Sequence, residues 1–202
     1  MNTNTLNKTH INITKYVLEI PGTDTRGVSN RHVCRYFWHQ NVCSAFGPET
    51  RFGLIKGHGT MKLIVLSDCE NPNYNLYWSE TPLRQEVSVD MSRVKRVRLI
   101  GNASVVIKQN GKCKSISIGQ VHDKIVKWLE MHGLSNVELN INVDRTDIKR
   151  RGEHVSYVYN TFDAKCDFDV EKIDALQELL LNGIGKRKHL GLGMVLLVGV
   201  QT

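Results

Sequence analysis

Between Ser117 and Val198 the chain alternates helical and strand-like hydrophobic periods, and this succession limits the fold more than any other feature of the sequence. Ser117 with Gln120 forms a capping box, and Val121, Ile125, Trp128 and Leu129 recur on one helical stripe that ends at His132-Gly133. Val137-Glu138-Leu139-Asn140-Ile141-Asn142-Val143 alternates apolar and polar residues strictly, as a half-buried antiparallel strand requires. Val155 to Tyr159, continued by Thr161-Phe162, supplies its partner, with Asp144 to His154 as the connection. Asp169 then caps a helix carrying Ile173, Leu176 and Leu180, Gly183 suits the position just past its end, and Met194 to Val198 reads as a buried strand. A strand-rich stretch from Glu86 to Ile107, broken at Asn102 and followed by a break at Gly111, precedes all of this. The order is strand, helix, strand, strand, helix, strand, which is ferredoxin-like.

The N-terminal half follows the same plan less completely. Ile11 to Ile20 reads as a strand closed by Pro21-Gly22, and Ser29 or Asn30 can cap a helix that runs to Phe46 and stops at Gly47-Pro48. Leu54-Ile55 and Met61 to Leu66 form paired strands around Gly57-His58-Gly59. Asn71 to Gln85 contains Pro72 and Pro82 and has weak periodicity, so an irregular segment is expected where a second helix would lie.

The segment Gly183-Ile184-Gly185-Lys186-Arg187-Lys188-His189-Leu190-Gly191-Leu192-Gly193 places four glycines and four basic-type side chains between the last helix and the last strand. Glycines permit positive φ and close backbone approach, and runs of backbone amides make concave anion sites that basic side chains reinforce. A nucleotide-binding P-loop runs strand, loop, helix and closes on Lys-Ser/Thr. Here the order is reversed and no such pair follows, which argues against ATP. Gly185, Lys186, Arg187, Lys188, His189, Gly191 and Gly193 are candidates for contact with an RNA backbone; the alternative is a basic connector whose glycines serve packing.

Twenty-seven Lys and Arg against 20 Asp and Glu give a net charge of +7, which favours polyanionic partners. The charge is clustered at Arg93 to Arg98, at Lys149-Arg150-Arg151 and in the glycine loop. On a strand, Arg96 and Arg98 share one face while Lys95, Val97 and Leu99 take the other. They are either ligand contacts or charges guarding a sheet edge. The acidic residues between Asp163 and Glu178 are expected to face away from the ligand.

Five cysteines, at 34, 43, 69, 113 and 166, are odd in number and form no Cys-x-x-Cys pair, so neither a disulfide framework nor a structural zinc site is expected. Polar residues 1–10 lack the apolar core of a signal peptide, and no run of eighteen apolar residues occurs. A cytoplasmic protein that does not enter membranes is expected.

Cleavage of RNA needs no external nucleophile, because the 2′-hydroxyl beside the scissile phosphate supplies one; the protein must move protons and stabilise charge. At about 100° per residue, His32, Arg35, Tyr36, His39 and Cys43 fall within one helical stripe. Tyr36 and His39 are neighbours there, with Arg35 as an adjoining cation. The plain alternative is a helix edge with amphipathic side chains at the core rim. His39 and Cys43 have the spacing of metal ligands, but further ligands at suitable spacing are missing, and no metal or other cofactor is expected.

The pattern Tyr36-Phe37-Trp38-His39-Gln40 within Ser29 to Phe46, the run Arg96-Val97-Arg98-Leu99, the helix Val121 to Gly133 and the C-terminal glycine loop together resemble the RAMP superfamily of CRISPR RNA-processing proteins. Within it they are most similar to the CasE (Cse3) subfamily, whose first helix carries Tyr-x-x-His-Gln. The resemblance implies an α+β protein of two tandem ferredoxin-like (RAMP/RRM-like) domains with antiparallel sheets. Residues 1–101 would carry the catalytic helix and residues 102–202 the basic hairpin and glycine loop. It further implies a metal-independent endoribonuclease that cuts precursor CRISPR RNA at the base of a repeat hairpin, leaving 2′,3′-cyclic phosphate and 5′-hydroxyl ends. His39 would be catalytic and Tyr36 its assistant, with Lys149, Arg150 and Arg151 as the basic segment at the cleavage site. Partners would be the repeat RNA hairpin and the other subunits of a Cascade-like effector complex in which the enzyme stays on its product. A non-catalytic RAMP subunit that only binds guide RNA is the rival, and Tyr36 and His39 separate the two.

Overall fold

Alternating hydrophobic strands build two four-stranded antiparallel sheets, each with its own buried core. The computed structural model describes residues 9–21, 35–48, 50–56, 60–76, 78, 80–105, 107–109, 112–114, 117–150, 153–185 and 191–202. The first sheet contains β1 (His10–Pro21), β2 (Arg51–Lys56), β3 (Thr60–Leu66) and β4 (Leu83–Asp90) in the order β2-β3-β1-β4, with helix α1 (Arg35–Phe46) between β1 and β2. The second contains β5 (Arg96–Ala103), β8 (Leu134–Arg150), β9 (Glu153–Phe168) and β10 (Val195–Gln201) in the order β10-β5-β9-β8. Between β5 and β8 come a small hairpin, β6 (Ile107–Gln109) with β7 (Lys112–Lys114), and helix α2 (Ile118–Met131); α3 (Ile173–Asn182) joins β9 to β10. Both sheets have the ferredoxin-like strand order, so the chain is an α+β protein of two tandem ferredoxin-like units.

Helix α1 packs on the first sheet because Trp38, Val42, Ala45 and Phe46 fall on one face, where they meet Tyr16, Leu18, Phe52, Leu63 and Val65. The irregular segment before β4 replaces the second helix by side-chain filling. Tyr74 and Trp78 pack edge-on to one another, and both contact the Phe46 ring. In the second unit α2 presents Val121, Ile125 and Leu129, and α3 presents Ile173, Leu176, Leu179 and Leu180, to Val97, Leu99, Phe162, Ala164 and Cys166. The expected capping box forms at α2, with the Ser117 hydroxyl accepting from the Gln120 amide. Asp169 caps a short 3-10 turn that leads into α3.

The chain passes from the first sheet to the second at residues 91–95, ahead of the expected boundary at 101/102. All of β5 belongs to the second sheet, since Arg96 to Ala103 pair continuously with Asp167 to Asn160. Asn102 therefore breaks no strand. Leu83 to Gln85, expected to be irregular, pair with Val17 to Lys15 in β4. Asp144 to His154 form no loose connection either: from Glu138 onward β8 pairs continuously with β9 out to Arg150 and Glu153, which makes a long two-stranded ribbon. Its outer portion, beyond the Asn160 pairing, runs past the edge of β5. The Gly57-His58-Gly59 turn and the Ser29/Asn30 cap lie outside the described residues.

The two units share apolar contacts. Ile64 and Leu66 of β3, with Ile13 and Ile55, meet Met194 and Leu196 at β10, and Ile11 of β1 reaches the second core. Among the described residues, no helix is long and apolar enough to cross a membrane.

Candidate active site

The expected catalytic helix carries its histidine at the rim of the core. His39 is half-buried, one residue beyond the fully buried Trp38, and Gln40 and Ser44 are exposed. Its ring is thus outside the apolar interior. The Nδ1 atom lies 3.3 Å from Sγ of Cys43, one helical turn on. The thiol in turn donates to the Pro48 carbonyl at 3.7 Å. Arg35 and Tyr36 belong to the first turn of α1 by backbone, and their side chains lie outside the described residues, as does His32.

Helix α1 lies against β8, the strand that carries the basic segment. Lys149 and Arg150 end β8, opposite His154 and Glu153, so the basic residues stand at the tip of the ribbon rather than in a loop. Their side chains, and Arg151 altogether, lie outside the described residues. At the base of the ribbon's outer portion the Tyr159 hydroxyl donates to Asp144 at 2.7 Å, tying the two strands together.

The glycine-rich segment is described at both ends; Lys186, Arg187, Lys188 and His189 lie outside the described residues. Gly183, Gly185, Gly191 and Gly193 all have positive φ. The Ile184 amide donates to the Gly193 carbonyl at 2.7 Å, and the Gly193 amide donates to the buried Asn102 side chain at 2.6 Å. Asn102, unforeseen from sequence, thereby anchors the loop to β5. A side chain at 191 would run into the Phe52 ring of β2, which packs the loop's second end against the first unit.

Arg96 and Arg98 do share the face of β5 opposite Val97 and Leu99, as the strand period predicts. Acidic residues stand with them on that face. Arg98 makes two hydrogen bonds to Asp163, at 3.0 and 2.5 Å, and Arg96 contacts Glu138 at 2.7 Å and Asp167 at 2.9 Å. The expectation that the acidic stretch from Asp163 faces away is corrected for Asp163 and Asp167: β9 is antiparallel to β5, and its odd-numbered residues point the same way as Arg96 and Arg98. Hydrogen bonding to these arginines holds the Asp163 and Glu138 carboxyls below their usual range. The period-two run Thr161, Asp163, Lys165, Asp167 was the signal for this pairing.

A cleft of about 300 Å³ opens between the units, lined by Leu54 and Ile55 of β2 and by Ile100, Thr161, Tyr159 and Leu196 of the second sheet among others. No group of three or more His, Cys, Asp or Glu side chains is placed to hold a metal ion among the described residues.

Strand order, helix placement and the glycine-bounded loop define a protein of two tandem ferredoxin-like units. Solved structures share this arrangement over nearly the whole chain. A CRISPR endoribonuclease Cse3 bound to a 19-nucleotide RNA superposes with a TM-score of 0.67 at 17% identity, covering 93% of this chain and 100% of that one. Cse3 of Thermus thermophilus, bound to an RNA representing a pre-cleavage complex, gives 0.66 at 17% identity over 93% and 99% of the two chains. The CRISPR-associated protein Cas6e of Escherichia coli K-12 gives 0.64 at 14% identity over 91% and 98%. At these identities the likeness shows a common fold. No family model matches the chain, and no curated protein does.

Proposed function

We propose that the chain is a CRISPR precursor-RNA endoribonuclease that binds a repeat hairpin and cuts it at the base of the stem without a metal ion. The observation that carries this reading is the position of His39: a half-buried imidazole at the rim of the first helix, on the element that lies against the basic ribbon. The fold shared with RNA-bound Cse3 supports the choice of substrate.

In this reading His39 accepts the 2′-hydroxyl proton as the oxygen attacks phosphorus, and a proton returns to the departing 5′-oxygen. The products carry a 2′,3′-cyclic phosphate and a 5′-hydroxyl. Tyr36 orients the phosphate or the imidazole. Arg35, together with Lys149 and Arg150 at the ribbon tip and with Arg151 next to them in the sequence, offsets the charge that builds on the phosphorane. The loop residues Lys186, Arg187, Lys188 and His189 hold the RNA backbone, with Gly185, Gly191 and Gly193 shaping the loop, while Arg96 and Arg98 border its path and are engaged by Glu138, Asp167 and Asp163. The enzyme then remains on its product within a Cascade-like assembly.

The test is incubation of the protein with an end-labelled repeat hairpin in excess chelator. Cleavage in the chelator, its loss on 2′-deoxy substitution at the cut site and its loss in His39→Ala with hairpin binding intact are the expected results. Binding without cleavage by the unaltered protein would leave it a passive RNA-holding subunit.

A further inference from the structure

We infer that Tyr159 is a positioning residue for cleavage, latching the root of the β8–β9 ribbon so that the basic tip keeps one place relative to α1; this rests on the reading of that tip as part of the cleavage site. The row formed by Val143, Asn160 and Ala103 is the last in which β8, β9 and β5 pair together. Asp144 and Tyr159 form the next row, where the ribbon has only two strands. A two-stranded ribbon twists and bends more readily than a sheet, so the direction of its tip is decided where it leaves the third strand.

The root is held mainly from one face. Tyr159 is only 4% exposed although it lies beyond the third strand, and its side chain lines the cleft between the units together with Leu54 and Ile55 of β2. Its hydroxyl donates across the ribbon to the Asp144 carboxylate at 2.7 Å. The next residue, the buried Asn160, donates from its side chain to the Ala103 carbonyl at 3.5 Å, where the β5 pairing ends. On the face opposite Tyr159, Val143 and Val158 are 57% and 40% exposed, so that side gives the root little packing. Removing the hydroxyl therefore lets the ribbon swing while the ring stays packed. From Asp144 to Arg150 a strand rises about 20 Å, so a swing of about 5° at the root moves the tip by nearly 2 Å. A displacement of that size takes a cation out of hydrogen-bond reach of the reacting phosphate, and positioning errors of about 1 Å already slow catalysis strongly.

Tyr159→Phe keeps the ring and removes the latch. Backbone amide relaxation of the RNA-free protein should show lower order in this variant for Arg145 to Arg150 with Arg96 to Ala103 unchanged, a pattern that general destabilisation does not produce. Single-turnover cleavage of the repeat hairpin should fall about three- to tenfold, with little change in hairpin affinity. Asp144→Asn, whose amide oxygen still accepts from the hydroxyl, should retain most of both signals. Unchanged order at the ribbon tip, or unchanged cleavage, in Tyr159→Phe overturns the inference, as does a loss in Asp144→Asn as large as that in Tyr159→Phe. The triple variant Lys149→Ala, Arg150→Ala, Arg151→Ala tests the reading beneath it. Full cleavage by that variant removes the tip from the cleavage site and the positioning role with it, whereas slowed cleavage leaves that reading standing whatever Tyr159→Phe shows.

Discussion

Gly183 and Gly193 meet backbone to backbone: the carbonyl oxygen of Gly193 lies 1.9 Å from where a side chain at 183 would begin, and it accepts the Ile184 amide. This contact closes the neck of the basic loop. It binds the end of α3 to the approach of β10, the two described segments that flank Lys186, Arg187 and Lys188 in the sequence.

Gly183→Ala should therefore lower stability by about 2 kcal/mol or more, because the obstruction is backbone and φ is 62°. Gly185→Ala shares a positive φ of 77°, but its Cβ would approach the Ser104 carbonyl no closer than 3.3 Å, and it should cost less. Denaturant unfolding of the two variants checks the order; equal midpoints would refute the neck as described.

The ion pairs on β5 bear on RNA affinity. Asp163 occupies Arg98 through two hydrogen bonds, so Asp163→Asn should release the guanidinium and raise hairpin affinity at low salt. One added phosphate contact should steepen the dependence of log affinity on log salt by about 0.7 to 0.9. Arg98→Ala in the same background should cancel the gain. Hairpin binding over a salt series reads both effects, and an unchanged slope would place Arg98 off the RNA path.

Alkaline pH should loosen the first unit through Tyr74. Burial, with Tyr16 and Cys69 adding to it, raises its phenol to about 12 from an ordinary value of 10.0. A raised folded value means the neutral form is the one the fold accommodates, so this contribution is whole below pH 10.0 and disappears as pH rises through about 12. Unfolding midpoints of the unaltered protein and Tyr74→Phe should diverge across that window, the phenylalanine variant losing less. Parallel curves would show that Tyr74 ionises without consequence.

The thiols of the described residues should react in two classes. Cys43 and Cys69 are partly exposed, whereas Cys166 is buried in the second core, where desolvation raises its thiol to about 12. Iodoacetamide at mildly alkaline pH should label Cys43 and Cys69 in the folded protein and Cys166 only after denaturation. Peptide mass spectrometry distinguishes them. Early labelling of Cys166 would mean that the second core opens readily.

Local patterns in the chain were enough for the elements whose signals depend on near neighbours. The box at Ser117 and Gln120, the α2 stripe through Leu129, the alternation from Val137 and the glycine ending α3 are set by residues within a turn or a strand step, and each forms as expected save that Val143, at the end of the alternation, is exposed. The succession of those elements determined the ferredoxin-like plan of the second unit. Pairing partners were decided elsewhere. That Asn102 continues β5 depends on β9 lying beside it and on the Gly193 amide, 91 residues away, reaching its side chain. That Arg98 meets Asp163, and that Tyr74 and Trp78 fill the space of a missing helix, depends on which strands and rings the fold brings together. A sequence records the period of each face, and only the assembled sheets determine what stands across from it.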